Sequence, residues 1–322
     1  MKMSQATQGF LFTLRADGYS QATIDLYNYV LTTLAGFLND PEVHTVQAAD
    51  LTRYFAYLRT DYIPNRKNGS NEPLSGSTLQ NHWKGIRTFF KWSCDELSLR
   101  QRPDAKLKLP PNNPRVVQSL DEQEVKAVLE AAEYTRLAAT NGRKPFKMQR
   151  RTGFRDSALI LILLDTGIRA GEAGRLNVGD VDLEGGEIFI SPFGSSQRKT
   201  KSRVLPIGKA TRKALWRYLT NRLDTDKDDP LFLSENGRRL EHDAIRHLLV
   251  GLGEKAGVKN CHPHRLRHTF AIEFLRNGGD VFTLQMLLGH SSLEMVQTYA
   301  KLAKIDAKNI HRKASPADKW RL

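Results

Sequence analysis

Apolar residues recur at helical spacing through the first hundred residues. Leu26, Val30, Leu31, Leu34, Phe37 and Leu38 share a face behind Ser20, a residue suited to cap a helix start. Asp50 opens another segment carrying Leu51, Phe55 and Leu58. Between Gly76 and Leu97, the residues Leu79, Trp83, Ile86 and Phe90 form one stripe, with Lys84, Arg87 and Lys91 at i, i+3 and i+7 on an adjacent one. Residues 3–98 are thus predicted to be all-helical, giving a first domain over 1–100. Residues 101–117 carry four prolines and little periodicity, which predicts an extended linker. A second domain over 118–322 is expected to start at Ser119-Leu120-Asp121-Glu122, a capping box ahead of Val125, Val128 and Leu129.

In this second part the apolar run Ala158 to Leu164 predicts a buried helix over 156–165, which Gly167 is suited to end. The pattern then shortens. Glu187 to Ile190 and Arg203 to Ile207 read as short strands, with turn residues Gly194-Ser195-Ser196-Gln197 between them. Helical periodicity returns, broken at 257–263, at Gly278-Gly279 and at Gly289. The expected fold is mainly α with a small antiparallel β-sheet: a helical N-terminal domain followed by a mixed α+β domain.

Composition narrows the functional class. The longest apolar run has seven residues, far short of a membrane span, and residues 1–20 hold no basic region followed by an apolar stretch. Cys94 and Cys261 are too few for a disulfide framework or a zinc finger, so a reducing, cytoplasmic setting is expected. Lys plus Arg number 49 against 35 Asp plus Glu, an excess of 14 that favours a polyanionic partner through counterion release. Lys84, Arg87 and Lys91 read either as a solvated helix face or as phosphate contacts. Arg136 to Arg155 holds seven basic residues and no acidic one; it reads as a mobile loop or, in preference, as a DNA contact.

Four short motifs carry the chemistry. In Thr166-Gly167-Ile168-Arg169-Ala170-Gly171-Glu172, the Arg169 guanidinium can grip two non-bridging phosphate oxygens, and Glu172 can orient it. In His264-Arg265-Leu266-Arg267-His268, positions 264, 267 and 268 share a helical face, while Leu266, Phe270 and Phe274 anchor the other. In Lys199-Thr200-Lys201-Ser202-Arg203, residues 199 and 201 point to one side of a strand. His290 follows the helix end at Gly289, Ser291 with Glu294 can box the next helix, and Tyr299 closes it. A metal reading of His262, His264 and His268 fails, because Pro263 intervenes and no Cys or carboxylate has the spacing to join them. The calcium-loop pattern from Asp224 to Glu235 fails too, with Asp229 where the sharp turn needs glycine and Pro230 next to it.

Taken together, these motifs resemble the tyrosine recombinase (phage integrase) family over roughly residues 5–315, departing at the basic stretch 136–155 and at His262. The simpler Xer or transposon type, without an arm-binding domain, is the better match. The resemblance implies a site-specific recombinase working through a 3′-phosphotyrosine intermediate, without metal, ATP or other cofactor. It implies Tyr299 as nucleophile, Arg169 and Arg267 as phosphate clamps, His290 as a further donor and His264 as general base or acid. Lys199 matches the family lysine, with Lys201 the runner-up and a phosphate contact its plainer role; Glu172 and His268 would support the others. The implied partners are double-stranded recombination sites and further copies of the chain, a dimer per site and a tetramer on two sites. Residues 301–322 would form a tail for contact between protomers. A type IB topoisomerase or a non-catalytic DNA-binding protein are the rival readings.

Overall fold

The computed structural model describes residues 1–66, 71–112, 118–137, 146–192, 202–222, 225–289, 294–302 and 315. They divide into two compact units, each with its own core.

The first unit is built on four helices: α1 (Met3–Ala16), α2 (Gln21–Phe37), α3 (Ala48–Thr60) and α4 (Gly76–Leu97). The Ser20 side chain caps α2 by accepting from Thr23 N. Ser75 does the same for α4 through Thr78 N. Phe10, Leu34, Tyr54, Leu58, Ile86, Phe89 and Phe90 are buried together, with Phe10 edge-on to Phe89 at 5.7 Å between centroids. His82 sits inside this core without solvent exposure, its Nδ1 2.9 Å from Tyr54 Oη, and burial lowers its pKa to about 4.

The predicted extended linker departs from expectation over residues 101–112, which are docked on α4. Trp83 Nε1 donates to Leu107 O and Gln80 Nε2 to Pro110 O, both at 2.9 Å. Asp104 is fully buried, with Arg102 Nη2 at 2.6 Å and Arg87 Nε at 3.5 Å. A buried carboxylate demands such partners, and that demand leaves no periodic trace in the sequence.

The second unit opens with α5 (Glu122–Glu133). Its capping box is Asp121 with Glu124, two residues later than the expected Ser119 and Glu122. The reason is long-range: Leu120 is buried and its N–H is taken by Thr269 Oγ1 at 2.8 Å, so the chain is strapped down before the helix starts. Next come α6 (Gly153–Thr166), α7 (Ala170–Arg175), then strands β1 (Val181–Asp182), β2 (Glu187–Ile190) and β3 (Arg203–Pro206) in one antiparallel sheet of order β1-β2-β3. Ile188 faces Leu205 across the ladder, and both are buried, as alternation requires. Five helices complete the unit: α8 (Lys209–Thr220), α9 (His242–Ala256), α10 (Pro263–Arg276), α11 (Val281–Leu288) and α12 (Glu294–Leu302).

The described part of the basic stretch is less free than expected. Tyr134 pairs with Gln149, Thr135 N donates to Met148 O, and Lys147 pairs with Glu130. Arg150 and Arg155 both bind the buried carboxylate of Asp156, at 3.1 and 2.6 Å. Three of the cations therefore hold the unit together. Among the described residues, no helix is long and apolar enough to cross a membrane.

Candidate active site

Several helix ends in the second unit converge on one polar cluster. α6 stops at Gly167, whose φ is +62°. A Cβ there would lie 2.4 Å from Phe270 Cδ1, so both the backbone and the space require glycine. The turn that follows places Arg169 at the N-cap of α7, where its N–H donates to Glu172 Oε2 at 2.8 Å and its Nη1 to Oε1 at 3.3 Å. The Arg169 side chain is 42% exposed and so remains within reach of an external anion, whereas that of Glu172 is 2% exposed.

α10 begins with Pro263 after His262, whose Nδ1 accepts from Arg265 N at 3.2 Å. Leu266 and Phe270 are buried against the unit, and His264, Arg267 and His268 share the site. Arg267 is only 4% exposed. Its Nη1 donates to Gly167 O at 2.5 Å and its Nη2 to Leu288 O at 2.8 Å. Both carbonyls lie at helix C-termini, α6 and α11, where acceptors are unspent and the helix dipole is negative. Burial, with Arg169 nearby, lowers the Arg267 pKa to about 10, which leaves it charged at neutral pH.

A third arginine completes the cluster. Arg203 begins β3 on the side of buried Leu205, its side chain 9% exposed. It donates Nη1 and Nη2 to the two oxygens of Glu172 at 3.1 and 2.9 Å, and Nε to Leu287 O at 2.8 Å. Burial alone would raise the Glu172 carboxyl; Arg203 and then Arg169 outweigh it and hold the group below its ordinary value. By sequence alone Arg203 is just the last residue of the Lys199–Arg203 stretch. Its inward register, two residues before Leu205, was the available signal.

Tyr299 lies on α12, 3% exposed, with Oη 2.8 Å from His268 Nδ1. The helix runs on to Leu302, so Tyr299 does not close it as expected; the following Ala300, Lys301 and Leu302 all favour helix. Burial raises the Tyr299 pKa, and Arg267 and Arg169 pull against it. Burial lowers His264, reinforced by Arg267, His262, His242 and Arg169. His268 is lowered to about 4 by burial, then by His264 and Arg267.

The structure thus gathers Arg169, Glu172, Arg203, His264, Arg267, His268 and Tyr299. Lys199, Lys201 and His290 lie outside the described residues, as does the tail beyond Leu302 apart from Ser315. Lys84 and Lys91 are exposed on α4 of the first unit; Arg87 is instead held over the Trp83 ring at 4.7 Å and against Asp104. Among the described residues, no three His, Cys, Asp or Glu side chains gather as a metal cage. Three guanidiniums, one carboxylate and two imidazoles held toward neutrality form a donor-rich cluster of the kind a phosphate group could enter, with a phenol beside it.

Known proteins share this organisation. Residues 118–305 match the phage integrase family, and residues 7–98 match the phage integrase N-terminal SAM-like domain. The chain is 27% identical over 321 residues to tyrosine recombinase XerD of Oceanobacillus iheyensis, covering 98% of this chain and 99% of that protein. It is 31% identical over 232 residues to tyrosine recombinase XerC of Alcanivorax borkumensis, 71% of this chain and 70% of that one. It shares its fold with the Tn1549 transposon integrase solved in complex with transposon right end DNA, at a TM-score of 0.72 and 18% identity over 98% of this chain and 100% of that chain. The chain belongs to the phage integrase family of tyrosine recombinases.

Proposed function

We propose that this site-specific DNA recombinase cleaves and rejoins strands through a covalent link between Tyr299 and a 3′-phosphate. The observation that carries this reading is the Tyr299 phenol held in one cluster with Arg169, Arg267 and His264. A phenol is a weak nucleophile near neutral pH, so it needs help at both the attacking oxygen and the phosphorus. Arg169 and Arg267 stabilise charge on the non-bridging oxygens, and His290 donates a further hydrogen bond. His264 serves as general acid or base, and Lys199 protonates the departing 5′-oxygen. Each phosphoester exchanged is replaced by another, so bond energy is conserved and no ATP is consumed; rejoining is the reverse reaction. Glu172, shared by Arg169 and Arg203, fixes the first clamp.

The substrate class is double-stranded recombination sites. The helical first domain binds them, with Lys84, Lys91 and Lys201 contacting phosphates, and the linker joins it to the catalytic domain over residues 118–322. The enzyme acts in the cytoplasm as a tetramer on two sites, a dimer on each. Residues 301–322 carry Leu302, Ile305, Trp320 and Leu322 among basic residues and couple neighbouring protomers head to tail. Deleting residues 304–322 should leave single-site binding intact and weaken pairing and recombination; full-rate recombination by the truncated chain would remove that role.

Tyr299→Phe tests the central claim. It should abolish the covalent adduct while DNA affinity stays within about twofold, since one oxygen is lost. An adduct mapped to any other tyrosine would overturn the assignment.

A further inference from the structure

We propose that His268 is the base that takes the Tyr299 proton, a role resting on the reading of Tyr299 as nucleophile. The two side chains are paired across α10 and α12: Nδ1 lies 2.8 Å from Oη, with ring centroids 5.5 Å apart. A general base must lie within about 2.6–3.2 Å of the oxygen it deprotonates. His268 meets that requirement before any rearrangement.

The protonation state suits the task. His268 is surrounded by positive or potentially positive groups: Arg267, His264 and His262 from α10 and its cap act on it, and Arg267 and Arg169 act on the Tyr299 phenol it touches. Together with burial they keep the imidazole neutral, and a neutral ring with its hydrogen on Nε2 offers the Nδ1 lone pair to the phenol O–H. The low intrinsic basicity is a property of the DNA-free site. A phosphodiester seated between Arg169 and Arg267 brings a negative charge into the same field, which raises the proton affinity of His268 as charge builds on the phosphorus.

The step balances. The Oη lone pair forms the bond to phosphorus while the Oη–H proton passes to His268 Nδ1. The P–O5′ bond breaks, and its electron pair leaves on the 5′-oxygen, which Lys199 protonates. In rejoining, the imidazolium returns its proton to the departing phenolate. His264 is then free to act on a non-bridging oxygen, and the two histidines of one helical face divide the work.

The test is single-turnover formation of the covalent adduct on a nicked site that cannot religate. His268→Asn places an amide near the Nδ1 position, so it can hold the phenol without accepting its proton. It should bind DNA like the wild type and form adduct about 10²–10⁴-fold more slowly at pH 7, the range of general base catalysis. Its rate should climb about tenfold per pH unit as phenolate takes over, whereas the wild-type rate stays nearly flat between pH 6 and 9. Added imidazole should accelerate His268→Ala and leave the wild type unchanged. Adduct formation by His268→Asn within about threefold of wild type, with an unchanged pH profile, would overturn the proposal. Should neither variant fold, the wild-type profile decides: a tenfold rise per pH unit across neutrality would mean no base acts on the phenol. Retained adduct in Tyr299→Phe would instead sink the parent reading, so the two failures are separable.

Discussion

Arg203→Met removes a guanidinium while keeping a long apolar stem, and the structure sets the cost. The change deletes two bonds to Glu172, at 3.1 and 2.9 Å, and the 2.8 Å bond to Leu287 O. The carboxylate, 2% exposed, keeps its bonds from Arg169, the N–H at 2.8 Å and Nη1 at 3.3 Å. Breaking one side of a buried ion pair costs about 3–5 kcal/mol. The lost carbonyl bond adds about 1 kcal/mol. Against a domain stability of about 5–15 kcal/mol, a loss of about 4–6 kcal/mol is large. Urea melts of the variant at pH 7.5 should show it. The pH dependence supplies a second check. In the wild type the folded Glu172 pKa lies below its ordinary 4.5, so its stabilising contribution is present above that value and fades as pH falls through the folded pKa. In the variant the raising influence of burial is less opposed and the pKa moves up. Protonation then relieves the penalty, and the gap between the two proteins should narrow from pH 7 toward pH 4.5. Adding Glu172→Gln to Arg203→Met should recover part of the loss at pH 7.5, because no buried charge remains. A loss under about 1 kcal/mol with a pH-independent gap would refute the reasoning.

Lys199→Ala should lose cleavage on ordinary DNA and regain it on DNA whose bridging 5′-oxygen is sulfur, since a thiolate leaves unprotonated; selective rescue of Lys201→Ala instead would move the role to that residue. In the first unit, the depressed pKa of His82, about 4 against 6.5, makes its stabilising contribution complete above pH 6.5 and lost as pH falls toward 4. At about 1.36 kcal/mol per unit this amounts to roughly 3 kcal/mol. His82→Gln should lack that part of the acid sensitivity when hydrogen exchange in α4 is followed from pH 7 to 4.5, and identical slopes would refute the assignment.

The sequence was legible wherever structure depends on neighbours in the chain. Ser20, the span Gly76–Leu97 and the helix end at Gly167 follow from caps, stripes and a left-handed glycine, all local matters. The motif spacing likewise named Arg169, His264, Arg267 and Tyr299 as candidates. What stayed hidden is long-range. Asp104 binds Arg87 on α4, Arg203 reaches 31 residues back to Glu172, and His268 meets Tyr299 31 residues ahead. Such pairings have no period. The two-residue strand β1 is too short to alternate, and its pairing with β2 decides its existence.

The way Arg267 is seated has a consequence for charge matching. Two of its donors go to neutral carbonyls, which fix the guanidinium without setting a negative charge against it, whereas Arg169 and Arg203 are fixed by the Glu172 carboxylate. Among the described side chains that meet here, three guanidiniums stand with one carboxylate. A resting phosphodiester brings one negative charge into that positive field. The phosphorane formed by phenolate attack carries about two, so the same field holds it more strongly. The fixed charges therefore fit the transition state better than the bound substrate, the condition under which binding energy lowers a barrier.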